Sequence, residues 1–452
     1  MVRPDAAPPA ALRRRLGPFS ATMVVVGGII GSGIYFTPAE VARALPNGQS
    51  ILLVWALGGV VALAGALTYA ELGAMMPDAG GAYVYLREGF GGLSAFLYAW
   101  MSVGLIATGA LAAVAMGFAN ALGRLVDLGP VGGPLPVAAA AIVALTLTNY
   151  LGVRPGAVVT NVLTVTKVAV LVALIGVGLL SMAAGNTPPT PYAMPRAPAP
   201  PSLPLAQFAA AFPPVLFTIG GWQQMNMVAG EIRDPARTIP RALLAGILIV
   251  IACYLGANAV YLYALFGRDW LAVSKAVAAD AAGQLFGPAG AGLIGVGVML
   301  SILGFVNVTI LSNSRIVYAV AEDGAFLRAA AKVHPRFGSP HVAVAILGAW
   351  ALVLLAATGG ELGTLLGGVV FADWIFFGLG GASVFALRRK RPDAERPYRA
   401  LGYPLLPALF VVAAAVGILS AIVSQPRMSA LGAALLAAGA AVYAARARWG
   451  KG

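Results

Sequence analysis

Gly27–Pro38, "GGIIGSGIYFTP", lies inside the first long apolar run of the chain, "FSATMVVVGGIIGSGIYFTPAEVA". Four of its first seven residues are glycine, and each glycine weakens a helix by about 1 kcal/mol relative to alanine. A segment needed only to cross a membrane gains nothing from this, so the stretch predicts a helix broken for a reason.

The surroundings fix the solvent. The chain is 60% hydrophobic and only 10% charged, with mean hydropathy +0.87, whereas a soluble domain carries roughly 25% charged residues. About 20 apolar residues cross a hydrocarbon core. Blocks of that kind fall near 18–39, 50–73, 93–121, 134–152, 157–183, 207–231, 240–266, 287–320, 341–358, 364–388, 403–424 and 429–447. The expectation is an all-α integral membrane protein of 12 transmembrane helices, both termini on one side, working in the lipid bilayer.

Twenty-two of the 29 Lys and Arg residues fall on the side of the N-terminus, six on the other, and Lys167 inside a span. Positive loops stay in the cytoplasm, so the chain is read as multi-pass in the cell membrane with cytoplasmic termini. The net charge of +13 is thereby a matter of topology. It lies in short loops with no basic domain for a duplex, so no nucleic acid partner is expected. The N-terminal run shows no cleavable signal pattern. The Pro-rich stretch 186–204 reads as an external loop between spans five and six.

Span six, "FPPVLFTIGGWQQMNMVAGEI" (212–232), is broken in its turn by paired prolines and then by Gly220 and Gly221 beside Trp222. Two interrupted helices, five spans apart, are the pattern of an inverted-repeat transporter whose discontinuous helices meet at a substrate site near the midplane. Free backbone groups are tolerated at that depth only inside protein or along a cavity. Half-helix N-termini suit a carboxylate and exposed carbonyls suit an ammonium, so a zwitterion fits between them. The alternative for span one alone is close helix packing through "GGIIG"; interruption at two corresponding positions favours the site. A phosphate loop is ruled out, because "GGIIGSG" matches neither GxGxxG nor GK[ST] and follows no strand.

Cys253 is the only cysteine, so no internal disulfide or cysteine metal cluster can form. His334 and His341 share one loop and supply no buried base, triad or metal set. No enzyme, cofactor or metal site is expected. A channel is the remaining rival, since half-helices also line pores.

Five segments resemble the amino acid, polyamine and organocation transporter superfamily, most closely bacterial members of its L-type amino acid transporter branch. They are "GGIIGSGIYFTP", "YAELGAMMPDAGGAYVYL" (69–86), "FTIGGWQQMNMVAGEIRDPARTIPRAL" (217–243), "SNSRIVYAVAEDGAF" (312–326) and "LRRKRPDAERPYRALGYPLLP" (387–407). The resemblance implies a LeuT-type 5+5 inverted repeat: 18–183, then 207–388, then two further helices over 403–447. It implies a substrate site at Ile30, Gly31, Ser32, Gly33 and Ile34, whose N–H groups take the carboxylate, and at Phe217, Thr218 and Ile219, whose carbonyls take the amino group. Phe217 would also gate the site, with Gly220, Gly221 and Trp222 beside it. Alternating access by exchange or proton-linked uptake is implied as well. The heterodimeric animal members carry a cysteine in the loop between spans three and four; "RLVDLGPVGG" has none, so no disulfide-linked heavy subunit is implied.

Two charges fall deep in spans, where each costs at least about 2.5 to 3.5 kcal/mol and calls for a partner. Transporters of this type with a lysine at the position of Lys167 place it where sodium would sit, which implies sodium-independent transport with Lys167 steadying the break in span one. Asp373 is read as a structural pair or a proton-coupling group. Span three contains no acid; Ser102 and Thr108 are its pocket candidates, and span eight adds Asn307, Thr309 and Ser312. Neutral L-amino acids are the expected substrates, with a cationic amino acid or polyamine as the alternative that Asp373 favours.

Overall fold

The computed structural model describes residues 12–186, 197, 199–360, 363–424 and 426–449. Most of the Pro-rich stretch 186–204 lies outside the described residues, as do Arg3 and Lys451. Seventeen α-helices follow one another, with no β-strand among the described residues. They are α1 (Pro18–Ile29), α2 (Gly33–Ala44), α3 (Gly48–Met75), α4 (Ala82–Phe90), α5 (Gly92–Met101), α6 (Ala107–Leu122), α7 (Pro134–Tyr150), α8 (Val153–Ala183) and α9 (Pro204–Ile219). Then come α10 (Gln224–Met227), α11 (Pro235–Ala264), α12 (Arg268–Val273), α13 (Val277–Glu322), α14 (His341–Thr358), α15 (Gly363–Lys390), α16 (Leu405–Ser424) and α17 (Pro426–Trp449).

Ten of these, with α5–α6 and α9–α10 each joined, are long and apolar enough to cross a membrane; counting α1 and α2 as one bent span gives 11. Helix α7, the expected span at 134–152, is apolar but has 17 residues. The chain is therefore a multi-pass helical membrane protein. Local chemistry sets the ends: proline stands in the first turn of α1, α7, α9 and α11, where no intrahelical N–H bond is lost. The Asn47 side chain caps α3, accepting from the Ser50 N–H at 2.9 Å.

Helix α1 is wrapped by α8, α11 and α13, and α2 lies along α9 and α12. One apolar core joins these to α3, α15 and α16. A second, around Leu111, Ile142, Val306 and Leu347, packs α6, α7, α13 and α14 together. The two broken helices thus run through the bundle packed against long helices, of which α13 is kinked at Gly287 (φ +72°) ahead of Pro288.

Candidate functional site

The break in span one leaves Ile30, Gly31 and Ser32 between α1 and α2, which meet at 41°. No acceptor among the described residues binds the N–H groups of Ser32, Gly33 and Ile34, as expected where a new helix begins. The other side of the break is well satisfied. Lys167, wholly buried on α8, donates from Nζ to the Gly27 carbonyl at 2.9 Å and to the Ile30 carbonyl. Ser301 Oγ donates to the carbonyls of Ile30 at 3.2 Å and Gly31 at 2.9 Å. An ammonium held at the negative end of α1 is favoured by the half-helix dipole, and it answers the carbonyls that the interruption leaves without N–H partners.

The second break runs from Gly220 to Gln223, between α9 and α10. Pro213 and Pro214 lie inside α9. Proline has no N–H to offer the turn before it, and the Ala209 carbonyl is met instead by Ser420 Oγ of α16, at 3.2 Å. Gly221 has φ +103°, and its N–H is held by Gln223 Oε1 at 3.0 Å. Trp222 is buried against Tyr69, Phe377 and Phe410, which pins the break to α3, α15 and α16.

The two breaks are tied to each other. The Tyr254 hydroxyl of α11 reaches the Ile29 carbonyl at 3.2 Å and the Thr218 carbonyl at 3.3 Å. The hydroxyls of Thr218 and Thr37 lie 2.9 Å apart, joining α9 to α2.

Between the breaks lies a cavity of about 160 Å³, room for on the order of ten water molecules and so for one amino acid. Gly31, Ser32 and Gly33 border it from one break and Phe217, Thr218, Gly220 and Gly221 from the other. Tyr98, Ser102 and Ile106 border it from span three, Phe305, Thr309 and Asn313 from α13, and Asp373, Trp374 and Phe377 from α15. Phe217, 58% exposed, stands at the rim. Ser102 to Ile106 form a π-helical turn, a local widening often found at functional sites, and it carries Ser102 and Ile106 to the cavity wall.

Other expected site residues stand elsewhere. Ile30, Ile34 and Ile219 are buried behind the wall. The Thr108 hydroxyl turns back to the Val103 carbonyl at 3.0 Å, closing the π-turn rather than lining the cavity. Asn307 Nδ2 donates to the Gly156 carbonyl at 2.9 Å and Thr160 Oγ1 at 2.8 Å, while its Oδ1 accepts from Asn149 at 2.8 Å. That polar knot binds α13 to α7 and α8, away from the cavity. Lys167 likewise lies behind span one, not on the wall. Sequence reasoning passed over Tyr254, Tyr98 and Ser301. Each is a single polar side chain in an apolar run, with no spacing to single it out.

On the α1 side the cavity is shut. The N–H groups of Arg15 and Leu16 donate to the Glu231 carbonyl at 2.8 and 2.9 Å, and the Arg233 N–H returns to the Leu16 carbonyl at 2.8 Å. Beneath them Arg315 grips Glu231 through two bonds of 2.8 and 3.1 Å, both side chains fully buried. Glu71 at the end of α3 is buried against Arg388 and Arg396 and accepts the Ala400 N–H at 2.7 Å.

Several characterised proteins are similar along almost the whole chain. The b(0,+)-type amino acid transporter 1 of Homo sapiens is 30% identical over 419 residues, 92% of this chain and 84% of the relative. The serine/threonine exchanger SteT of Bacillus subtilis (strain 168) is 29% identical over 439 residues, 96% of each chain. The large neutral amino acids transporter small subunit 2 of Rattus norvegicus is 32% identical over 447 residues, 97% of this chain and 82% of the relative. The sequence profile of the amino acid permease family matches residues 16–444, a span that takes in both broken helices and every wall of the cavity. The chain belongs to the amino acid permease family and is a membrane transport protein, not an enzyme.

Proposed function

We propose that this protein moves amino acids across the cytoplasmic membrane by alternating access, without sodium, as an exchanger or with protons. The fold this implies has 12 spans, α7 included, both termini in the cytoplasm, and a LeuT-type repeat over 18–183 and 207–388 with two further helices. One observation carries the reading: Ser32 and Gly33, whose N–H groups have no acceptor among the described residues, border the same cavity as Phe217, Thr218, Gly220 and Gly221 of the break that ends α9. The α2 N-terminus takes the α-carboxylate and the carbonyl end of α9 takes the α-ammonium. Because both contacts are to backbone, the clamp reads the zwitterion and leaves the side chain to the other walls.

With Lys167 on the Gly27 and Ile30 carbonyls, a fixed cation occupies the place where a sodium ion would steady the break. The buried contacts of Leu16, Glu231 and Arg315 on the α1 side and the exposed Phe217 on the cavity wall support the reading of a state open outward. For this chain we infer no disulfide-linked subunit, since Cys253, its only cysteine, is buried.

The test uses proteoliposomes preloaded with a panel of amino acids. Saturable uptake stimulated by internal substrate, unchanged when choline replaces sodium, is expected. Sodium-dependent uptake refutes the role given to Lys167; ohmic current without trans-stimulation refutes transport by alternating access and returns the channel reading.

A further inference from the structure

Asp373 lies on the cavity wall, half-buried, with no hydrogen bond and no ion pair among the described residues. Two other buried carboxylates are answered. Glu231 is locked to Arg315, and Glu71 to Arg388 and Arg396. Lys167, buried on α8, is engaged by the carbonyls of Gly27 and Ile30 and does not reach the cavity. A carboxylate at such depth is costly without a partner, so a cavity with this single uncompensated charge is built to receive a positive one.

The second observation is independent. Thr309, 2% exposed, also lines the cavity, and its hydroxyl has no partner among the described residues. Buried hydroxyls are normally bonded, and one left open toward a cavity awaits a ligand atom. Trp374 and Phe377, on the same helix as Asp373, supply an apolar wall beside the carboxylate, the surface along which a chain of methylenes packs. The zwitterion clamp, once filled, is neutral and makes no use of Asp373.

Resting on that clamp, we propose that Asp373 is the side-chain selector of the site and that the preferred substrate carries a second cation, a primary ammonium or guanidinium at the end of an aliphatic stem. The acid-free third span favours neutral substrates only if the counter-charge has to come from that span; here α15 provides it. A hydrogen bond to a charged partner corresponds to roughly 10- to 100-fold in affinity, and that is the discrimination expected between a cationic substrate and its uncharged isostere.

The experiment measures ligand-induced stabilisation of the purified full chain by lysine and by norleucine, which shares the stem without the amine. Each is titrated on the native protein and on Asp373→Asn. Lysine is expected to bind at least tenfold more tightly to the native protein, and the ratio is expected to fall to about twofold in Asp373→Asn. Norleucine binding as tightly as lysine to the native protein overturns the proposal, as does an unchanged ratio in the variant. Should the variant fail to fold, the native ratio decides alone. Nα-acetyl-lysine and Nα-acetyl-norleucine test the clamp separately: if they bind as well as the free amino acids, the clamp fails whatever Asp373 does, whereas their exclusion together with equal lysine and norleucine binding condemns the selector alone.

Discussion

Gly28 and Gly221 meet backbone to backbone where the two broken helices cross: a Cβ on Gly28 would stand 2.8 Å from the Gly221 carbonyl oxygen, and one on Gly221 would strike the Gly28 carbonyl. Gly221 also holds φ +103°, a conformation whose strain for another residue is about 1–3 kcal/mol. Clash and strain act together at this position. Gly221→Ala is expected to lower the thermal midpoint and to abolish uptake, whereas Gly91→Ala, also at positive φ but with open space around it, tests strain without the clash and is expected to retain substrate binding.

Gly33 is tight for a different reason. Its backbone is helical, yet a Cβ there would lie 2.7 Å from Thr218 Cγ2 and 3.0 Å from Thr218 Oγ1. The Thr218 hydroxyl is itself held by Thr37 and by the Pro214 carbonyl, so it has little freedom to yield. Gly33→Ala is expected to insert and purify normally but to bind substrate at least tenfold more weakly, because α2 and α9 are pushed apart across the clamp. Adding Thr218→Ser removes the methyl that clashes, and the double variant is expected to recover part of the affinity. Additive losses from the two changes, measured as a double-mutant cycle, would show that the two residues do not act through this contact.

The broken helices were legible because they are written in backbone chemistry. Four glycines in seven residues, and prolines followed by a glycine pair, state where a helix cannot continue, and hydropathy states that the setting is lipid. The walls of the cavity were less legible. Asn307 and Thr108 are polar residues at plausible depth, but one knots three helices together and the other closes a π-turn. A polar side chain in an apolar helix satisfies itself wherever a neighbour allows, and the neighbours come from spans far away in the chain. Tyr254 shows the converse: it joins the carbonyls of Ile29 and Thr218, 225 and 36 residues away, with nothing in its local pattern to mark it.

Tyr254→Phe therefore isolates the coupling between the breaks. The change removes one hydroxyl and keeps the ring that packs edge-on against Trp55. A neutral hydrogen bond contributes about 0.5–1.5 kcal/mol, and the hydroxyl hydrogen is shared between two carbonyls. A loss of roughly two- to tenfold in substrate affinity is expected, with thermal stability of the ligand-free protein little altered. Unchanged affinity would show that the breaks hold their geometry without it.

Lys167 and Ser301 together answer the carbonyls that α1 leaves open. Lys167→Ala removes the ammonium and leaves the Gly27 carbonyl without a partner in a wholly buried place, where an unsatisfied group costs about 1–3 kcal/mol. Uptake is expected to fall at least tenfold while the protein remains in the membrane. Addition of sodium is the discriminating step: partial recovery in Lys167→Ala, with no sodium effect on the native protein, indicates that the ammonium stands in for the ion. If native uptake itself needs sodium, the ammonium does not replace it.

The last prediction concerns the closed side. Glu231 and Arg315 are fully buried and bidentate, and Arg315 also donates to the Leu311 carbonyl at 2.6 Å and to Ser314. Removing one member of such a pair leaves a buried charge uncompensated, at a cost of about 3–5 kcal/mol, whereas replacing both by apolar residues is often neutral. Glu231 also carries the carbonyl that receives the Arg15 and Leu16 N–H groups, so the pair supports the strand-like contact that shuts the α1 side. Arg315→Met is expected to destabilise the protein strongly and to expose that side, read as faster modification of a cysteine introduced at Ala21, which is buried on α1. Glu231→Met with Arg315→Met is expected to regain most of the stability. If the paired ions serve only the fold, cysteine modification follows stability and slows again in the double variant. If they serve as the latch of the transport cycle, the double variant is stable yet Ala21→Cys remains open to reagent. The second outcome is expected, because in the proposed cycle the bonds from Arg15 and Leu16 to the Glu231 carbonyl must also release when the cavity opens inward.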